Sequence, residues 1–487
     1  MSQSLPAIIY PVAIPLMGAF LLPIGARRMA ELAGLFGRIV VLLSFSTSLA
    51  LAVSIWTAGP AVSAMGGFAA PLGIVFYADR LAMLFLLALN VAVFLFWPRG
   101  QGAKGGPCTL MLALLAGGSG LILSGDLFNI FVFYEITAVA SYGLAASGRT
   151  HAGFAAALRF LILGSVGSSL MLIGIALIYA RTGTLNLADL SRIAPHALTG
   201  PVGLAAFILL LAGLGVKAEL VPLNTWVPEV YGAAPARVSA LLAGVVSKLA
   251  MVVALRFVVQ VFPGDGAHTV LLVAGILGVL AGELAAWRAG SLMETFSYSS
   301  IAQLGMVALA FSISGAAGIA AGIALALHHA VVKPAFFMLA ARWRGPVGGL
   351  AGAVKDSPLA VWLFVILSLS IIGIPPFPGF WAKFLFLKAA FAAPSAGVWI
   401  AVFVMLAGTV VEAAYLFRAV LVFFADGERG GSTPRFAFAQ LAPALGLGAV
   451  LLAAMVFIAP LGASISGMAD EASNAAAMAA RVLDRGE

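Results

Sequence analysis

The sequence predicts an all-α, polytopic membrane protein with about fourteen transmembrane helices. Three observations predict it. Of the 487 residues, 63% are hydrophobic and only 9% charged, and the mean hydropathy is +1.12, far from the composition of a soluble domain. Apolar stretches of roughly 20 residues, enough to cross a bilayer as helix, succeed one another along nearly the whole chain. Lysines and arginines fall into alternate connections between those stretches. The net charge of +8 is therefore topological: it forms no basic cluster with interleaved aromatics, which excludes a nucleic-acid partner. The single cysteine, Cys108, excludes an internal disulfide and any zinc or iron-sulfur site built on thiolates.

The start, MSQSLPAIIY, lacks the basic region and cleavage site of a signal peptide, so residues 5–24 are expected to be a retained first span. Uninterrupted apolar runs then place spans at 32–56, 81–97, 108–123, 127–146 and 154–180. The seventh, 202–226, is interrupted at Pro222. The eighth to eleventh are 238–262, 269–287, 296–313 and 317–341. The twelfth, 359–391, contains GIPPFPGF, whose prolines remove backbone donors and break the helix; spans 398–424 and 441–458 complete the set. DLSRIAPH, between spans six and seven, reads as a short surface helix, and 463–487 as a polar helical tail. No soluble catalytic domain and no nucleotide loop is visible, so residues 1–487 form one membrane domain.

Orientation follows from the loops. Those after odd-numbered spans, with Arg38 at the entrance to the second span, hold Arg27, Arg28, Arg99, Lys104, Arg149, Arg237, Arg288, Arg342, Arg344, Lys355, Arg429 and Arg435, whereas the loops joining even-numbered spans to the next span hold only Arg80, Arg181 and Arg192. The odd loops are then cytoplasmic, and both termini are expected outside.

Within the spans stand Glu135, Lys217, Glu219, Lys248, Glu283, His328, His329, Lys333, Lys383, Lys388 and Glu412. A charge at the bilayer centre costs about 2.5–3.5 kcal/mol on insertion scales, so each marks function by default. Glu283 and Lys388 lie near enough to span ends to snorkel to an interface. Glu135 and Lys217 are expected to neutralise each other across neighbouring helices, and separating them would free the lysine to act in proton relay; the alternative is a static bridge. Lys248 has no carboxylate within a helical turn. His329 and Lys333, four apart, share a helical face suited to a relay, whereas His328 points elsewhere as a modulator or a packing residue. No metal-binding pattern is present: there is no HExxH, no cysteine partner, and a lysine beside the histidines.

Breaks in corresponding helices of two halves mark inverted repeats around a mid-membrane site. From Lys217 to Lys248 is 248 − 217 = 31 residues, and from Lys383 to Glu412 is 412 − 383 = 29. Helices seven and eight map onto twelve and thirteen, which makes Glu412 the equivalent of Lys248 and the expected partner of Lys383. A contact from Glu412 to a neighbouring subunit is the alternative. The repeats would span approximately 108–262 and 269–424.

GDLFNIFVFYEITAVASY, KAELVPLNTWVPEVYGAAPARVSALLAGVVSKLAMVVALRF, SYSSIAQLGM, HHAVVKPAFF and GIPPFPGFWAKF resemble, in order and spacing, the antiporter-like subunits shared by Mrp cation/proton antiporters, membrane-bound hydrogenases and respiratory complex I. GDLF is most similar to the Mrp D-type and hydrogenase members. The resemblance implies fourteen helices with two inverted five-helix repeats, and a proton relay in which Glu135, Lys217, Lys248, His329, Lys333 and Lys383 match family positions. It implies proton entry near Lys248, passage by His329 and Lys333, exit by Lys383, and control by the Glu135–Lys217 pair. Three departures stand out: Glu219, which could capture Lys217, Glu412, and GSLMETFSYSS where the family is commonly basic. The implied partners are other membrane subunits, lipid and protons, with Na+ or K+ as the candidate exchanged cations. No cofactor site is visible, so the driving force comes from sister subunits or a redox arm. A stand-alone carrier for a small solute and a non-conducting scaffold are the competing readings.

Overall fold

The computed structural model describes residues 8–26, 32–99, 105–343, 345–426 and 438–484. The beginning of the first expected span, and Arg27, Arg28, Lys104, Arg344, Arg429 and Arg435, lie outside the described residues.

The chain runs through α1 (Tyr10–Ala26) and α2 (Ala33–Ala58) into an antiparallel hairpin, β1 (Ala61–Ala64) and β2 (Val75–Ala78), with Ala61 opposite Ala78. Next come α3 (Arg80–Leu95), α4 (Gly106–Leu123), α5 (Leu127–Ala145), α6 (His151–Thr182), α7 (Leu187–Ala197) and α8 (Gly200–Lys217). The short α9 (Val227–Ala233) and α10 (Ala236–Leu241) precede a π-helical turn at Leu242–Val246, and α11 (Ser247–Gln260) continues from it. The remainder is α12 (Asp265–Arg288), α13 (Leu292–Phe311), α14 (Ala316–Ala340), α15 (Ala353–Asp356), α16 (Pro358–Ile372), α17 (Pro378–Ala392), α18 (Ala396–Phe424), α19 (Phe438–Val456), α20 (Ile458–Ser473) and α21 (Ala475–Leu483).

Among the described residues, nine helices are long and apolar enough to cross a membrane, or ten if α19 and α20, bent by 88°, form one broken span. Shorter apolar helices occur at Tyr10–Gly25, Arg80–Leu95 and Pro358–Ile372. The protein is thus a polytopic, almost wholly helical membrane protein. The hairpin is the exception to all-α: two strands of four residues are too short for their period to stand out beside long apolar runs.

The helix breaks follow from sequence. α8 stops at Lys217, the following Glu219 takes a left-handed φ of 58°, and Pro222 cannot continue the ladder. α16 ends on Gly373, whose φ of 92° is a glycine C-cap, and α17 restarts at Pro378 in its first turn, where a missing N–H costs nothing.

Two compact units divide the chain. The first holds Met1–Ala218, Val245–His268 and Asp470–Glu487. In it α4 packs against α1 and α5, α6 lies along α8, α11 leans on α8 and α4, and α21 covers the amphipathic α7. The second holds Glu219–Gly244 and Thr269–Ala469. Its centre is α14, against which α10, α13, α16, α17 and α19 pack, with α18 on α16 and α13.

Candidate functional site

In the first unit the site is organised by α5 and α8. Asp126 of GDLF is the N-cap of α5: the backbone N–H groups of Phe128 and Asn129 donate to its carboxylate at 2.9 and 3.0 Å. Tyr134 donates from its hydroxyl to the Gly213 carbonyl at 2.7 Å and so ties α5 to α8 one turn before Lys217.

Lys217 is 3% exposed. Its ammonium lies over three rings, 4.9 Å from the centroids of Tyr142 and Phe160 and 5.6 Å from that of Tyr134. The Tyr142 and Phe160 rings meet edge to face at 4.7 Å. Gly164 on α6 makes room for this cage, because a Cβ there would run into the Tyr142 hydroxyl oxygen. The pairing of Glu135 with Lys217 is electrostatic rather than a direct contact. Glu135 is half-buried and within electrostatic reach, but the Lys217 Nζ makes no hydrogen bond with any described residue. Of these two α5 residues it is Tyr134 that makes the hydrogen bond to α8. The π faces of the cage supplement the Glu135 carboxylate in holding the cation.

Lys248 lies two residues after the π-helical turn, is wholly buried, and donates to Ser247 Oγ at 3.2 Å. Two turns further along α11, Arg256 donates to Asp79 at 2.9 Å, and both side chains are buried. Asp79 in turn caps α3 through the Ala82 N–H at 2.7 Å. Sequence reading passes over Arg256, although an arginine inside SKLAMVVALRF is itself a signal of a buried partner.

The second unit carries a denser group. Glu219 is buried and accepts a hydrogen bond from the Tyr231 hydroxyl at 2.6 Å, which occupies the carboxylate expected to capture Lys217. On α14, His328 Nε2 and Ser370 Oγ are 2.8 Å apart, His329 is 1% exposed, and Lys333 is wholly buried. Lys333 donates to Ser299 on α13 rather than along its own helix to His329, and stands 5.6 Å above the Phe296 ring. Lys383 of α17 donates to the Ile372 carbonyl at 3.0 Å, to Thr409 Oγ1 at 2.9 Å and to Glu412 at 3.2 Å. The break in the helix is what leaves the Ile372 carbonyl at the α16 terminus open to accept. Glu412, fully buried, also accepts from Gln303 Nε2 at 2.9 Å.

Two expectations about span ends resolve differently. Lys388 is exposed, whereas Glu283 is 1% exposed and does not reach an interface. α12 extends to Arg288, and α13 and α18 close over the carboxylate. The unit thus concentrates buried protonatable side chains on α12, α14, α17 and α18, with Ser299 and Gln303 of α13 as hydrogen-bonding partners. Such a group can take up, hold and release protons without exposing charge to lipid.

Residues 124–411 match the family model described as NADH:quinone oxidoreductase/Mrp antiporter, TM. The chain is 33% identical over 445 residues to the N-type subunit of the NADH-quinone oxidoreductase of Desulforudis audaxviator, covering 86% of each chain. It is 31% identical over 399 residues to the D-type subunit of the Na(+)/H(+) antiporter of Bacillus subtilis, covering 79% of this chain and 80% of that one. Among solved structures it is similar to a chain of the membrane-bound sulfane sulfur reductase, an archaeal respiratory membrane complex, with a TM-score of 0.90, 31% identity and 99% and 100% of the two chains covered. The protein belongs to the family of membrane subunits found in NADH:quinone oxidoreductases and Mrp antiporters.

Proposed function

We propose that this chain is the proton-translocating membrane subunit of a multisubunit complex, either an Mrp-type antiporter or a redox-driven pump, located in the cell membrane beside other membrane subunits. The observation that carries the reading is the buried group of the second unit, in which Lys333 meets Ser299 and Lys383 meets Glu412. Full charges this deep are costly to keep, and a packing role is filled more cheaply by serine, threonine or asparagine. In the relay, Lys248 takes up a proton, His329 and Lys333 pass it on, and Lys383 releases it. Lys217, held over its aromatic cage and within reach of Glu135, sets the local potential; Glu219 and His328 modulate from their contacts with Tyr231 and Ser370.

The same reading assigns about fourteen spans in one membrane domain, with both termini outside and inverted five-helix repeats at 108–262 and 269–424. What supports the repeats is the shared order of helices. α4, α5, α6, the broken pair α8–α9 and the long α10–α11 match α12, α13, α14, the broken pair α16–α17 and the long α18. The driving force comes from partner subunits, and Na+ or K+ is the candidate cation exchanged for the proton.

The test is to purify the complex containing this chain from native membranes, identify its partners, and measure proton movement in sealed vesicles with and without Lys248→Ala. Loss of movement at normal assembly supports the relay; unchanged movement favours a scaffold. Solute uptake by the chain alone would favour a stand-alone carrier.

A further inference from the structure

Glu283 has no role in the relay described above, and its surroundings give it one. It is 1% exposed, and neither carboxylate oxygen has a hydrogen-bond partner among the described residues. Two glycines let the neighbouring helices close around this side chain. A Cβ on Gly282 would come 2.5 Å from the Ala302 backbone nitrogen, so only glycine lets α13 pack this closely on α12; a Cβ on Gly408 of α18 would stand 3.4 Å from Glu283 Cγ.

The charged and titratable groups facing Glu283 are Glu412 and Tyr415 on α18, Lys333 on α14 and Lys383 on α17. Lys383 is already committed. An ammonium has three N–H donors, and Lys383 spends its three on Ile372, Thr409 and Glu412. Lys333 donates to Ser299, and the Gln303 amide donates to Glu412. Glu412 is therefore the acid that holds donors, and Glu283 is the one that accepts no hydrogen bond among the described residues, the arrangement that makes an unprotonated carboxylate costly. The Tyr415 hydroxyl is a second, independent pointer. It is buried, lies within interaction reach of Ser299, Glu283 and Glu412, and has no hydrogen-bond partner of good geometry among the described residues.

We propose that Glu283 is a carboxyl group that stores a transported proton beside the Lys383–Glu412 ion pair and exchanges it with Lys333 through Ser299 and Tyr415. This rests on the proton-translocating reading above. The step balances: the Lys333 ammonium gives a proton to Ser299 Oγ, the Ser299 hydroxyl proton moves to Tyr415, and the Tyr415 phenolic proton moves to the Glu283 carboxylate. Lys333 ends as an amine and Glu283 as an acid, both hydroxyls are restored, and the reverse sequence empties the store.

The experiment uses the assembled complex in native-lipid vesicles, with infrared difference spectra in H2O and D2O alongside proton flux. The wild type shows a protonated-carboxyl C=O band that shifts in D2O; Glu283→Gln removes it, Glu412→Gln leaves it, and flux falls roughly a hundredfold in Glu283→Gln, the lower range for a positioned proton donor. Should Glu283→Gln fail to accumulate, Tyr415→Phe moves the same band and slows flux. A band that survives Glu283→Gln, a band unmoved in Tyr415→Phe, or full flux in Glu283→Gln overturns the inference. Lys333→Ala separates the two levels: full flux there defeats the relay itself, whereas lost flux there with full flux in Glu283→Gln defeats only the role of Glu283.

Discussion

Removing either partner of the Lys383–Glu412 pair should damage the protein more than removing both. The two charges are 3.2 Å apart, with side-chain exposures of 11% and 0%. Coulomb attraction at that distance is about 5 kcal/mol at an effective dielectric of 20. Orphaning one member of a buried pair costs about 3–5 kcal/mol, because the other is left uncompensated. In Lys383→Met, Glu412 keeps only the Gln303 amide; in Glu412→Met, the ammonium keeps the Ile372 carbonyl and Thr409. The double Met variant loses both the attraction and the desolvation cost, and replacing a buried pair by apolar side chains of similar volume is often close to neutral. The assay is a double-mutant cycle on the midpoint of heat-induced loss of the monodisperse peak in mild detergent. Both single variants should fall well below the wild type and the double variant should recover most of the loss. Additive losses would refute the reasoning, since they would mean that the two side chains do not act as a unit.

Gly164→Ala should disturb Lys217 by pushing Tyr142 from its cage, and Tyr142→Phe should partly rescue it in vesicle flux by deleting the oxygen that the new methyl would meet. Asp126→Ala should cost about 1 kcal/mol of stability, as loss of an N-cap does, while Asp126→Asn, an equally good cap, should be silent; flux per assembled complex should be unchanged in both. Lys355 and Asp426 form a fully exposed pair at 2.8 Å, outside the spans. Their hydrogen bond raises the lysine above 10.5 and lowers the aspartate below 3.8. The stabilising contact is therefore complete above 3.8, is lost as pH falls through the lowered aspartate value, and on the alkaline side is lost only as pH rises through the raised lysine value. Stability profiles of wild type and Asp426→Asn should consequently run parallel between about pH 5 and pH 9.

Much of this is visible in the sequence because the bilayer imposes it. Span length and hydropathy give the helical class, and prolines give the breaks after Lys217 and before Lys383. The similar spacings of 31 and 29 residues single out Glu412 as a partner for Lys383, since a repeat carries its spacing with it. The Lys217 cage is not visible. Tyr134, Tyr142 and Phe160 sit among apolar residues on two helices, and only the packing of α5 and α6 on α8 turns lipid-like aromatics into a cation site. Glu283 is misread for a related reason: its position along the span suggests an interface, but burial depends on how closely α13 and α18 approach. That approach is fixed by glycines, which leave no hydrophobic signature.

The most direct test of the account is proton flux through the assembled complex with Lys333→Met, which keeps the length and packing of a fully buried side chain while removing its charge. The buried relay predicts normal assembly and loss of flux. Normal assembly with undiminished flux would place the proton path elsewhere.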